Sequence, residues 1–379
     1  MPETITMNIL TRERAVLDQA LPGFDSRLAE LGTTAAEDPE SGVIEAFRTA
    51  GGGNLLIPAK SGGGGLDCLA GARVQRAIGS RAPSLAVAST MHHYKVAWLA
   101  QILDDPDSEV LRRIVGERHL VASCGAEGRS GKQLFAPGIE VTAADGGGLR
   151  VSGAKRPCSL VRSMGLLSLL TPGPDGSPYA GQLLIVLVPA SAEGVGWEPL
   201  WANGALRAAE TDSVVLSDVQ VPDDMIIPLG DPTRSTPRIS SIMIWFLPLI
   251  TAAYLGIATG QVERLFLEDR GSAADRVAAL SPLETAFAAV EALARDVDTE
   301  PHGDNLLGRL LMVRYTAQRA IAEATDRALE LMGGMSFVTG GHGVEMLAAS
   351  RALAFHPPAE GAMRERMDSW LKGGELRLT

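Results

Sequence analysis

Cysteine, histidine and aromatic residues are all scarce in this 379-residue chain, which holds three Cys, six His and 4% Phe, Trp and Tyr together. An odd number of widely spaced cysteines (Cys68, Cys124, Cys158), with no C-x-x-C pair, indicates neither a disulfide framework nor a cysteine zinc site. The histidines show no H-x-x-x-H or H-E-x-x-H spacing, so no helical metal motif is present either. Runs of Lys or Arg are missing and the formal net charge is -11, which argues against a nucleic-acid partner. The segment MPETITMNILTRERAVLDQAL has charges spread through it and no apolar centre, so it does not read as a secretory signal. A cytoplasmic location is expected.

Long apolar runs are almost absent as well. The exception is residues 239–262, which carry no charged side chain and are long enough to span a bilayer. The run is single, lies mid-chain, contains Pro248 and precedes amphipathic segments that need a partner, so a buried bundle helix is expected rather than a membrane span.

Three patterns follow one another along the chain. Residues 1–117 carry helical periodicity, as in TRERAVLDQAL and LAVASTMHHYKVAWLAQIL, interrupted by the glycine clusters 51–53 and 62–65 that mark loops. Residues 118–230 switch to short apolar or β-branched runs (HLVASCGAEG, LRVSGAKRPCSL, GLLSLLTPG, GQLLIVLVPA, TDSVVLSDVQVP) broken by Gly, Pro, Asp and Ser. Residues 231–379 return to three- and four-residue spacing. The expected fold is α+β and multidomain: an N-terminal helical domain, a central antiparallel β-barrel or sandwich, and a C-terminal helical bundle.

A phosphate-binding loop fails on spacing in GAEGRSGKQ, because Ala126 and Gln133 stand where the motif needs glycine and a hydroxyl. The informative segment is ALELMGGMSFVTGGHGVEMLAASRALAFHPP, residues 328–358. It resembles, at matching length, the acyl-CoA dehydrogenase stretch with a glycine pair, a V-E-R-L helix and a terminal I-Y-E-G. FRTAGGGNLLIPAKSGGGGL, GAEGRSG, LRVSGAKRPCSL and ETDSVVLSDVQVP resemble further motifs of that superfamily, in the same order. The resemblance implies the three-part fold, a flavin (FAD or FMN), a small-molecule or acyl-thioester substrate and a homodimer or homotetramer. It places Gly333 and Gly334 where backbone approaches the flavin, Ser159 where a hydroxyl bonds the ring, with Cys158 beside it, and Glu127 on the flavin loop. Each has a plainer alternative, such as a helix C-cap for the glycines and an exposed loop carboxylate for Glu127.

Departures from the pattern matter equally. The glutamate of I-Y-E-G, the general base of the dehydrogenases, falls on Pro357, and its other known location falls near Phe246, with Leu247 in place of an arginine. The R-x-x-FG segment for FAD phosphates has no counterpart beyond Arg270 and Arg276. Flavin-dependent monooxygenases on the same fold, the dibenzothiophene monooxygenases among them, resemble this chain in two places. They carry a histidine late in the helical domain, here His92 or His93, and an L-H-D-P ending, here Phe355-His356-Pro357-Pro358. Such histidines would relay a proton because their pKa lies near working pH. The function expected is hydroxylation by reduced flavin and O2, with a flavin reductase or electron-transfer partner. A dehydrogenase with a non-standard base and a redox-inactive binding protein are the alternatives.

Overall fold

Asp67 starts the helical core of the first segment: its carboxylate accepts the Ala70 amide at 2.7 Å, capping a helix whose interior positions are almost all buried. Pro83 opens the next helix, where its missing N–H costs nothing. The computed structural model describes residues 7–105, 107–123, 138–339 and 341–378, with side chains at all but 232–239, 339, 341 and 342. The first segment holds α1 (Thr11–Ala20), α2 (Phe24–Leu31), α3 (Thr33–Ala36), α4 (Val43–Thr49), α5 (Cys68–Arg81), α6 (Pro83–Leu103) and α7 (Glu109–Gly116).

Two four-stranded sheets follow. They are built from β1 (Val121–Ser123), β2 (Ile139–Ala143), β3 (Leu149–Cys158), β4 (Leu166–Pro172), β5 (Leu183–Pro189), β6 (Val195–Glu198), β7 (Asp212–Val221) and β8 (Ile226–Gly230). One sheet has the order β1-β4-β5-β8 and the other β2-β3-β7-β6. Pairing is antiparallel as expected, except that β1 runs parallel to β4 with Val121 opposite Leu166. The short strands β2, β6 and β8 escape the sequence pattern because they offer only four or five positions with at most two of them buried, too few to show an alternating face.

The chain closes with α8 (Pro232–Leu267), α9 (Ala273–Thr299), α10 (Asp304–Met332), α11 (Gly334–Thr339), α12 (Gly341–Arg351) and α13 (Glu360–Leu371). Residues 240–267 and 273–299 are long and apolar enough to cross a membrane, but the most apolar window of the first is 94% buried inside the fold. Residues such as Leu249, Ile250 and Leu255 lie in the interior of the bundle, each stabilising it by about 1.5–3 kcal/mol. Helices α5 and α8 cross backbone to backbone. A β-carbon at Gly79 would collide with the Ala253 carbonyl, and one at Gly256 with that of Arg76. Only glycine permits this approach, and it holds α8 against α5 in a single rotation.

Candidate active site

That rotation turns Ile242, Met243, Phe246 and Tyr254 of α8 toward a cavity of about 490 Å³. The opposite wall comes from α6, which contributes Val87, Met91, Tyr94 and Lys95, one helical stripe at spacings of four, three and one. Strands β1, β3 and β4, the turn after β3 and the segment leading into β7 add Ser123, Lys155, Ser168, Ser159 and Thr211, and the turn after α12 adds Phe355, His356 and Pro357.

His356 is only partly exposed and lies among aromatic rings. Its Nε2 stands 2.9 Å from the Tyr254 hydroxyl, and its ring packs edge-on against Phe246, with centroids 5.9 Å apart. Burial, with the Arg314 cation second, holds its imidazole down at about 3. The expectation of a histidine titrating near working pH is therefore corrected: burial holds this imidazole neutral. Tyr254 is fully buried, and burial pushes its phenol well above the usual range. A protonated phenol donates to Nε2 when the imidazole carries its proton on Nδ1.

His92 and His93 do not reach the cavity. The Val121 amide donates to His92 Nδ1 at 2.8 Å, so Nε2 carries the proton and donates to the Gly53 carbonyl at 2.6 Å. His93 accepts from Gln75 at 2.8 Å and donates to the Gly52 carbonyl at 2.8 Å. Both rings are wholly buried with both nitrogens satisfied, and burial lowers them to about 3 and about 4. They pin the first glycine cluster to α6 and β1 in place of a catalytic role. The residues of α6 that do face the cavity are Met91, Tyr94 and Lys95, and the helical spacing from Val87 was the signal that distinguished them.

The other expected residues divide. Ser159 lines the cavity and its hydroxyl lies 2.9 Å from that of Thr211. Cys158 is buried behind it, with its thiol 3.7 Å from the Ser159 carbonyl, and does not line the cavity. Gly333 closes α10 with a φ of 84°, and neither it nor Gly334 borders the cavity. A β-carbon on either meets nothing within 4 Å, so within the described residues the pair is a C-cap and turn rather than a close approach. Glu127 lies outside the described residues. Glu360 pairs with Arg319 at 3.1 Å and is not in the cavity wall.

Sequence reasoning missed Tyr94, whose hydroxyl bonds Ser123, and two buried lysines. Lys95 lies over the Tyr94 and Trp98 rings at 5.6 and 5.0 Å, and burial lowers it to about 8. Lys155 is also buried. Ser168 is the most telling omission. Its Oγ is buried without a hydrogen-bond partner among the described residues, on the cavity wall, and such a group costs about 1–3 kcal/mol unless a ligand satisfies it.

A flavin ring fits this wall. It is planar and apolar with polar edges, and Ser159, Thr211 and the orphaned Ser168 present hydroxyls beside the apolar faces of Leu170 and Phe246. No family model matches the chain. It is 34% identical over 380 residues to isobutylamine N-hydroxylase of Streptomyces viridifaciens, across 98% of this chain and 100% of that one. It is 25% identical over 225 residues to dibenzothiophene monooxygenase of Rhodococcus erythropolis, across 58% of this chain and 53% of that one. The FMN-bound TdsC structure from Paenibacillus sp. A11-2 superposes with a TM-score of 0.79 at 19% identity, covering 97% of this chain and 98% of that one. The chain belongs to the acyl-CoA dehydrogenase superfamily, in its flavin-dependent monooxygenase branch. It is a flavin-dependent oxidoreductase.

Proposed function

We propose that this oxidoreductase hydroxylates the nitrogen of a small aliphatic amine, using reduced FMN delivered by a separate reductase. The observation that carries the proposal is the chemistry of the cavity wall: among its described residues there is His356, Tyr254 and two lysines, and no carboxylate. Dehydrogenation of an acyl thioester needs a positioned base for the α-proton, and Pro357 and Phe246 occupy both places where that base would stand. An uncharged amine needs no such base, since its lone pair is already the nucleophile. Full-length similarity to an amine N-hydroxylase supports the same choice.

Bound reduced flavin supplies two electrons, so that amine, O2 and reduced flavin become hydroxylamine, water and oxidised flavin. The protein contributes orientation and dryness. Ile242, Met243, Phe246 and Leu170 exclude water from the cavity, and Ser159, Thr211 and Ser168 would hold the flavin through their hydroxyls. His356, held neutral and bonded to Tyr254, would pass a proton only as a relay, gaining one on one ring nitrogen as the other releases one, so that no net charge is added to the site. The reading also carries a cytoplasmic homodimer or homotetramer, for which Met335, Phe337 and Val338, all more than half exposed on α11, supply an apolar face. Purified protein given a flavin reductase, FMN, O2 and isobutylamine should release the hydroxylamine, seen by mass spectrometry. Anaerobic bleaching of bound flavin by an acyl-CoA, with no amine product in air, would overturn the proposal.

A further inference from the structure

Arg314 on α10 is only 1% exposed, yet it has no ion-pair partner among the described residues. Buried cations are ordinarily matched by a carboxylate, because removing a charge from water costs several kcal/mol. Here the guanidinium goes to backbone instead. One Nη donates to the Pro358 carbonyl at 2.7 Å, and the other donates to the carbonyls of Leu353, at 3.0 Å, and of His356. The neighbouring Tyr315 hydroxyl donates to the same Pro358 carbonyl at 3.0 Å. Glu360, two residues beyond Pro358, is paired with Arg319 instead.

The three accepting carbonyls bracket His356 on both sides. A planar guanidinium with five fixed donors can span them, whereas a lysine ammonium concentrates its donors at one point. Carbonyl dipoles hold the cation in place without neutralising it, so its field persists at the imidazole. The charged and titratable groups that face that imidazole are Tyr254 from α8 and Arg314 from α10, with Tyr94 and Lys95 of α6 and Lys155 of β3 lining the same cavity. None is an acid ionised at neutral pH.

We propose that Arg314 is a positioning residue of this site: its clasp on the 353–358 turn sets where His356 stands, and its uncancelled charge opposes a second positive charge there. The proposal uses the N-hydroxylase reading only for its kinetic consequence. Burial and Arg314 act together on the imidazole, so removing the cation releases part of the effect.

The test is histidine side-chain NMR of the full chain from pH 2.5 to 8, over the range in which each protein stays folded, with the His356 resonance assigned by its loss in His356→Gln. In Arg314→Met the His356 midpoint should rise by about one unit or more. Arg314→Lys should keep the midpoint low but lose about tenfold or more in kcat/KM for the amine, because the turn is no longer held at three points. A folded Arg314→Met protein whose His356 titrates like the parent overturns the proposal. If Arg314→Met does not fold, Arg314→Lys decides, and parental kcat/KM in that variant overturns it. Failure of the parent to hydroxylate any amine would sink the functional reading alone, since the imidazole titration needs no substrate.

Discussion

The hydroxyl of Tyr254 lies 2.9 Å from Nε2 of His356, a pair separated by 102 residues and joined only where α8 faces the turn after α12. If this pair handles the proton of the oxygen chemistry, His356→Ala should reduce kcat/KM for amine hydroxylation by about 10²-fold or more. Tyr254→Phe should cost less, because the imidazole remains in place. Circular dichroism and the unfolding midpoint check that neither effect comes from lost structure. Parental turnover in a folded His356→Ala protein would remove the histidine from the chemistry.

Ser168 makes the opposite kind of prediction. Its hydroxyl is buried and unsatisfied among the described residues, so Ser168→Ala should leave the flavin-free protein equally stable or about 1 kcal/mol more stable. The same substitution should weaken FMN binding by about three- to tenfold, the worth of one hydrogen bond. Urea unfolding and flavin fluorescence titration separate the two effects. Destabilisation with unchanged affinity would show the hydroxyl to have another partner.

For His92, stability and not catalysis is at stake. His92→Ala strands the Gly53 carbonyl and the Val121 amide, each now paired with the ring. The expected loss is about 2–5 kcal/mol from two orphaned groups and a cavity. Whatever folds should keep the parental KM for the amine. A stable variant with impaired chemistry would restore His92 to the site.

Acid stability follows from the buried imidazoles. His92 and His356 are held at about 3 and His93 at about 4, against 6.5 when unfolded. The unfolded chain therefore binds more protons between those values and 6.5. Their stabilisation is complete above pH 6.5 and is lost as pH falls toward 4 for His93 and toward 3 for His92 and His356. Asp298, raised to about 6 by burial, works in the opposite direction over part of the same range. Net unfolding free energy should still decline through this window. His93→Gln should flatten the decline by about one imidazole's share, up to about 1.4 kcal/mol per pH unit; an equal slope in the variant would contradict this.

The sequence made the large features legible because they rest on composition. A charge-free run such as 239–262 has few alternatives to a buried helix, and β3, β4, β5 and β7 announce themselves by long apolar or alternating runs. His356 was legible through the F-H-P-P ending. His92 and His93 were misassigned because adjacent residues on a helix point in different directions, and only the stripe through Met91 and Tyr94 faces inward. Ser168 and Arg314 were illegible for another reason. A serine in a strand and an arginine in a helix acquire meaning only from what tertiary folding puts opposite them, an empty cavity wall in one case and three carbonyls in the other.

The glycine crossing of α5 and α8 bears on how such an enzyme can change its substrate. Gly256 is two residues from Tyr254, so the face of α8 that touches Arg76 and the face that meets His356 belong to the same turn of helix. Sliding or rotating α8 to admit a bulkier amine would drive backbone into backbone. New specificity must therefore come from shortening side chains on a fixed frame, at Met243 or Phe246, or at Met91 across the cavity. Directed evolution on this scaffold should accumulate changes at those three positions while Gly79 and Gly256 stay untouched.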